Sequence, residues 1–361
     1  MSRAALMADT HWGVRNNSTV FLDLMKWYYE TIFFPYLIEN GIKEIIHAGD
    51  LVDNRSAANY RMLRYMKEAF FDRLTEHGIT MHIIPGNHDI FFRNDIAINA
   101  VQELYPNHPF VKLYTKPTDV KIGNATFLML PWISPTNYDE CMKGIEDSKA
   151  DYCVGHLEIA GAKMFRTSTS EHGLSHELFK KFKKVYSGHY HHPNRLGTVQ
   201  YISALFHTTW QCYGDQRGFM VLDTKSGKDE YVENPYCLFQ RLIYDDTDGF
   251  DVPDVDVLKR ELEGRILELV VANKTNNKTY KRFRDALNEV DLVDFQVVER
   301  YLMKSVDTAQ AQQIIDNAQK DTPLDVIIKY TEEYSKADVG VLKEELNSIF
   351  EDATNLMAQG E

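Results

Sequence analysis

The chain has 361 residues, 44% hydrophobic and 26% charged, a composition ordinary for a globular protein and a length that allows one large domain plus a smaller one. No apolar run reaches the ~20 residues that span a bilayer, and the four scattered cysteines form no C-x-x-C pair, which argues against a zinc knuckle or disulfide framework and fits a reducing, cytoplasmic compartment. The formal charge of −13 excludes DNA binding by broad counterion release alone, although residues 301–361, with twelve acidic and five basic side chains, hold over half of that excess.

The first residues, up to Ala8, are followed too soon by Asp9 to be a secretory signal and read as a buried strand. Strands are expected at Ala4–Ala8, Glu44–His47, Thr80–Ile84, Thr126–Leu130, Tyr152–Val154, Lys184–Tyr186 and Gln200–Ile202. Helix-period stretches lie between the early ones, over Thr19–Asn40 and Ser56–Gly78, the second with Ser56 as N-cap and Gly78 as its stop. Such alternation predicts βαβ-built sheets with buried faces. With further hairpins in the later half, the fold class is a layered α/β sandwich of mixed sheets flanked by helices.

Residues 217–245 return strands to that sandwich, which sets a first domain over 1–245. The pattern then restarts with a strand at Ile266–Val271, a helix at Tyr280–Val290 and a strand at Phe295–Glu299, a small α/β domain over 246–303. Residues 304–321 are polar and read as a linker. In 322–361, Thr322-Pro323 opens one helix and Asp338 caps another, on which Leu342, Leu346, Ile349 and Phe350 share a face opposite an acidic one.

Five clusters each follow an expected strand: Asp9-Thr10-His11, Gly49-Asp50-Leu51-Val52-Asp53, Gly86-Asn87-His88-Asp89, Gly155-His156 and Gly188-His189-Tyr190-His191-His192. Loops at the carboxyl ends of parallel strands gather along one edge of an α/β sheet, so topology alone brings these residues together. Asp-x-His, Gly-Asp or Gly-His alone reads as a turn; Gly-Asn-His-Asp is stronger, since Asn87 and His88 are an odd polar pair after Ile83-Ile84-Pro85, and all five in this order are no coincidence. Carboxylate and amide oxygens with imidazole nitrogens suit divalent ions such as Mn²⁺, Fe²⁺ or Zn²⁺. The donors are too many for one ion, and the natural division is two cations ~3.5–4 Å apart sharing a carboxylate, the arrangement that clamps a phosphoester and neutralises charge growing on its oxygens.

The order Asp-x-His, Gly-Asp-x-x-Asp, Gly-Asn-His-Asp, Gly-His, Gly-His-x-His resembles the calcineurin-like metallophosphoesterase superfamily. Pro85–Asp89, Glu171-His172-Gly173-Leu174 and Val185–His191 look like the SbcD-type DNA repair nucleases, and within that group most like the subunit encoded by tailed phages. The resemblance implies that Asp9, His11, Asp50 and His191 hold one metal and that Asp50 bridges to a second, completed by Asn87, His156 and His189. It implies that His88 is catalytic, facing the scissile phosphate, with Asp89 orienting it. It further implies a Mn²⁺-dependent DNA exonuclease and endonuclease, dimeric, working in the host cytoplasm beside an SMC-like, ABC-type ATPase that the tail helices bind. One departure stands out: the family's Gly-Ser/Thr-Pro turn is replaced here by Ser203-Ala204-Leu205.

Other residues carry less. Lys281, Arg282 and Arg284, with Lys274 and Lys278, form the densest basic cluster before the tail and are candidates for the DNA backbone or for a plain solvated face. The aromatic run Trp27–Phe34 reads as core, with part of it available for self-association. Two rivals stand beside the nuclease: a phosphomonoesterase on the same core, and a non-catalytic scaffold, whose sign would be a degraded ligand set.

Overall fold

The computed structural model describes residues 2–165 and 168–299, so the expected linker and the helices with Leu342, Leu346, Ile349 and Phe350 lie outside the described residues. Two compact units result, Met1–Gln240 with Gly264–Ile266, and Arg241–Glu263 with the residues from Leu267 on.

The first unit is the layered sandwich that alternation predicted. In one sheet Arg3–Met7 pairs in parallel with Glu44–His47, which pairs in parallel with Thr80–Ile83 and so to Val111–Leu113; Gly218–Asp223 and Asp229–Glu233 extend the other side antiparallel. The second sheet places Ala125–Leu130, Tyr152–His156, Lys184–Gly188 and Val199–Tyr201 in parallel register, with antiparallel strands Thr118–Ile122 and Arg195–Leu196 at its edges.

The period of two along a strand decides which layer each side chain enters. Ala4, Leu6 and Ala8 face the inner core with Ile46, Ile84, Phe127, Met129, Val154 and Tyr186. Ala5 and Met7 face the opposite way, into the helical layer built on Phe21, Met25, Tyr29, Phe33, Phe70 and Leu74. Behind the second sheet, Leu128, Leu130, Cys153 and Val185 meet Cys141 and Ile145 of the helix Tyr138–Asp147. Both sheets are thus covered on both faces, which is why their strands read as continuous apolar runs.

Both long helices run nearly as expected, but each contains a π-helical turn, at Tyr29–Phe33 and at Lys67–Phe71. In the first, Pro35 has no N–H to give the carbonyl of Thr31, so the regular ladder cannot close there. The wider turn lets Tyr28, Tyr29, Phe33 and Phe34 all point inward, and Tyr29 meets Phe70 at 5.0 Å between ring centres. The aromatic run is therefore core, apart from Trp27 on the surface.

One boundary is corrected. The second helix begins at Tyr60 and its N-cap is Asn59, whose Oδ1 accepts from the N–H groups of Arg61 and Met62; Ser56 instead closes a turn on Asn54. A start there places Met62, the first buried residue of the helix, in its opening turn. Gly78 ends the helix in the left-handed region, as expected. A hairpin not foreseen, Ile90–Phe92 with Asp95–Asn99, follows the Gly-Asn-His-Asp loop.

The second unit contains a three-stranded sheet, ordered Phe239–Asp245, Ile266–Asn273, Asp294–Glu299, with helices Val255–Leu262 and Asn277–Asn288. Its core is Tyr244, Leu258, Leu267, Leu269, Val271, Phe283 and Leu287. Asp246 ties it together, accepting from the N–H groups of Thr275 and Asn276 at 2.6 and 2.8 Å and from the hydroxyl of Tyr244. Of the basic cluster, Lys281 and Arg282 are exposed, whereas Arg284 lies over the ring of Phe295 at 4.6 Å.

Candidate metal centre

All five clusters sit at the carboxyl ends of parallel strands: three after Arg3–Met7, Glu44–His47 and Thr80–Ile83 of one sheet, and two at the ends of Tyr152–His156 and Lys184–Gly188 of the other. The loops are stitched to one another by their backbones. Asp9 N donates to the carbonyl of Gly49 at 3.0 Å, and His11 N to that of Asp50 at 3.2 Å. Gly49 is required here on two counts: its φ of +89° is left-handed, and a Cβ would lie 2.7 Å from His156 Nδ1 and 2.9 Å from Gly86.

Four of the candidate ligands themselves adopt positive φ: Asp9 at 52°, His11 at 45°, Asp50 at 57° and His189 at 90°. Non-glycine residues avoid this region, at a cost of about 1–3 kcal/mol each, and such strain clusters at functional sites. A loop needing only the turn would hold glycine. These four keep their side chains.

The donors fall into two sets around one atom. On one side His11 Nε2 lies 2.9 Å from His191 Nε2, and His191 Nε2 lies 3.8 Å from Asp9 Oδ1. On the other, Asn87 Oδ1 faces His156 Nε2 at 3.0 Å and His189 Nδ1 at 2.9 Å. Asp50 Oδ2 stands between them, 3.2 Å from His156 Nε2 and 3.7 Å from His11 Nε2, while its Oδ1 accepts from His88 N. Asp9, His11 and His191 offer atoms within 4.8 Å of one another, as do Asp9, Asp50 and His156, and also His11, Asp53 and His88.

These residues fit divalent cations. Asp9 Oδ2 is buried with no hydrogen-bond partner among the described residues, an arrangement that is expensive for a carboxylate oxygen unless something else satisfies it. Facing imidazole lone pairs are poor partners for each other and good ones for a metal. His156 donates from Nδ1 to the carbonyl of Ala48 at 2.8 Å, which fixes its tautomer with Nε2 turned to the centre.

Without cations the carboxylates are crowded. Burial raises the pKa of Asp9. Burial, then the charge of Asp50, pushes Asp89 up to about 7. Asp50 itself is held well below the usual carboxylate range, because the imidazoles of His156 and His11 outweigh its burial. His156 is raised to about 9, its burial outweighed by Asp50.

Asp89 does not orient His88. Its carboxylate accepts from the N–H groups of Leu51, Val52 and Gly86 at 2.8, 3.1 and 2.9 Å, pinning the Asp50 loop to the Asn87 loop. His88 is instead fixed by Nδ1 on the carbonyl of Asp53, 2.7 Å away, and its ring stands edge-on to His11 at 4.8 Å. Asp53 also brings its carboxylate within 3.4 Å of His11 Nδ1, and caps no helix.

The residue that sequence reasoning missed is Arg217. Only 1% exposed, it donates to the carbonyl of His191 and to Ser203 Oγ, and pairs with Asp215 at 3.3 Å. Asp215 in turn lies 3.1 Å from His192. Ser203, at φ +81°, takes the backbone shape that the family's glycine would take. A lone arginine before a strand carries no motif, and its partners at 191 and 203 lie 26 and 14 residues away.

Residues 2–257 match the model of the calcineurin-like phosphoesterases. Exonuclease subunit 1 of Enterobacteria phage T4 is 31% identical over 284 residues, spanning 74% of this chain and 82% of that protein. The D component of the SbcCD nuclease of Staphylococcus saprophyticus is 24% identical over 213 residues, spanning 51% of this chain and 56% of its own length. A solved archaeal phosphodiesterase superposes over 64% of this chain and 99% of its own, at 11% identity and a TM-score of 0.33. With the family model covering most of its length and the phage relative 31% identical over 82% of its own, the chain belongs to the calcineurin-like phosphoesterase family.

Proposed function

We propose that this chain is a two-metal DNA phosphodiesterase, an exonuclease and endonuclease that processes ends and junctions in recombination and double-strand-break repair. The observation that carries the proposal is Asp50 Oδ2, which stands between His156 Nε2 at 3.2 Å and His11 Nε2 at 3.7 Å. Asp9, His11, His191 and Asp50 are proposed to hold one cation, and Asn87, His156, His189 and Asp50 the other, with Mn²⁺ as the ion. Bound there, the pair supplies Lewis acidity to the phosphoester and to the attacking water.

The chain's own residues do the rest. Asp89 keeps the two ligand loops in register. His88 Nδ1, resting on a carbonyl, must carry a proton, so Nε2 is the atom presented to substrate. As the imidazolium it donates from Nε2 to the leaving oxygen of the cleaved strand.

In Mn²⁺ the protein should release nucleotides from end-labelled duplex DNA. His88→Ala should lower that rate by about 10²–10⁴ while both cations still titrate into the protein calorimetrically. Undiminished cleavage by the variant removes His88 from the chemistry. Hydrolysis of a phosphomonoester with none of DNA would make the chain a monoesterase instead.

The relatives' names describe components of larger nucleases, which supports a partner here as well. That partner is proposed to be an SMC-like ATPase bound through residues 322–361, with the nuclease itself a homodimer. Deleting 322–361 should end co-purification with the ATPase and spare cleavage; continued co-purification would move the contact elsewhere.

A further inference from the structure

Beside the centre lies a recess of about 170 Å³, lined by Trp132, Ile133, Tyr138, Leu157, Glu158 and Leu174. His156 forms part of its wall, so it opens directly onto the second group of donors. Trp132 stands 5.8 Å from the ring of His156 and 5.3 Å from that of His189. Its backbone is held at both ends: Trp132 N donates to the carbonyl of Pro85 at 3.0 Å, and its carbonyl accepts from Asn137 Nδ2 at 3.0 Å. Asn137 also closes the following turn by accepting from Ser134 N at 2.7 Å. The indole is therefore a fixed plate. Tyr138, 46% exposed, stands at the rim.

Resting on the nuclease reading above, we propose that this recess takes the base of the nucleotide next to the scissile phosphodiester. A phosphate held at the metal centre puts its own nucleoside one sugar away, and the recess adjoins that position. Indole, phenol and aliphatic side chains suit the flat, apolar face of a base. Glu158, whose carboxylate lies 3.3 Å from His189 Nε2, would repel a second phosphate but accepts a hydrogen bond from the amino or imino edge that every base carries. One base occupies the recess in this reading, so the nucleotide enters unpaired. Stacking does not depend on base identity, which makes the subsite tolerant of sequence.

The test uses the full chain in Mn²⁺ with an end-labelled strand, intact or carrying an abasic sugar at the cleaved nucleotide. Trp132→Ala should raise KM for the intact strand roughly tenfold or more, the loss of one stacked base. Wild type should show the same loss on the abasic strand, and the two proteins should then cut it alike. Trp132→Phe, which keeps a stacking face, should recover most of the affinity and serves as the control for folding. Equal preference for the intact strand in wild type and Trp132→Ala overturns the subsite. So does loss of calorimetric Mn²⁺ binding in that variant, which would make Trp132 a wall of the metal centre only. Absence of any DNA cleavage by wild type instead overturns the nuclease reading, and the subsite with it.

Discussion

Asp50→Asn is expected to weaken cation binding in both halves of the centre by at least about a hundredfold, the upper end of what loss of a partner outside the ligand sphere causes. Asp50 Oδ2, between His11 Nε2 and His156 Nε2, is the atom proposed to serve both donor sets. An amide in its place loses the charge and turns either a weaker oxygen or an N–H toward His11 and His156. Cleavage should fall with the metal. The metal-free fold should lose stability as well, because the imidazoles of His156 and His11 hold the Asp50 carboxylate ionised, and that favourable pairing outweighs its repulsion of the buried carboxylates of Asp9 and Asp89. The amide oxygen of the variant would still accept the hydrogen bond from His88 N. In urea at neutral pH, therefore, the metal-free variant should unfold at a lower midpoint than wild type, and added Mn²⁺ should stabilise only wild type. Two cations titrating normally into Asp50→Asn would dismiss Asp50 as the bridge.

Arg217→Met should destabilise the protein by about 3–5 kcal/mol, the effect of removing one partner from a buried charge pair. The pair is sealed: Arg217 is 1% exposed, and the side chain of Asp215 only 4%. Methionine fills much of the same volume, so the loss comes from the Asp215 carboxylate deprived of the guanidinium and from the carbonyl of His191 deprived of this donor. Since that carbonyl belongs to a candidate ligand, cation affinity should drop as well. Adding Asp215→Asn to Arg217→Met should recover part of the stability by removing the buried charge that the guanidinium had balanced, and none of the metal affinity. A double variant as unstable as Arg217→Met alone, measured by denaturant midpoint, would show that the pair is not the source.

Much of the fold and of the centre is legible in the chain itself, because it is written in local signals. Apolar runs of strand length ending in Gly-Asp or Gly-His name both the strand and the loop that follows it, and parallel topology then delivers His11, Asp50, Asn87, His156 and His189 to one edge. What stays hidden depends on contacts across the fold. Asp89 lies beside His88 in the chain, yet its acceptors are used by Leu51, Val52 and Gly86. The partners of Arg217 at 191 and 203 carry no sequence mark of their relation to it. Asn59 and Ser56 are both good caps, and only the packing of Met62 and Met66 beneath the helix chooses between them. Of the two π turns, the one at Tyr29–Phe33 follows from Pro35, a mark in the sequence, whereas the one at Lys67–Phe71 has no such mark.

The left-handed backbone at positions 9, 11, 50 and 189 has a last consequence. The bends that aim these side chains are made when the chain folds, so arriving ions meet a socket whose shape is already set. Loading should then proceed at the speed at which ions shed water, with little rearrangement of the protein. Each of these bends costs the chain about 1–3 kcal/mol, which glycine would relieve at any of the four places only by removing a candidate ligand.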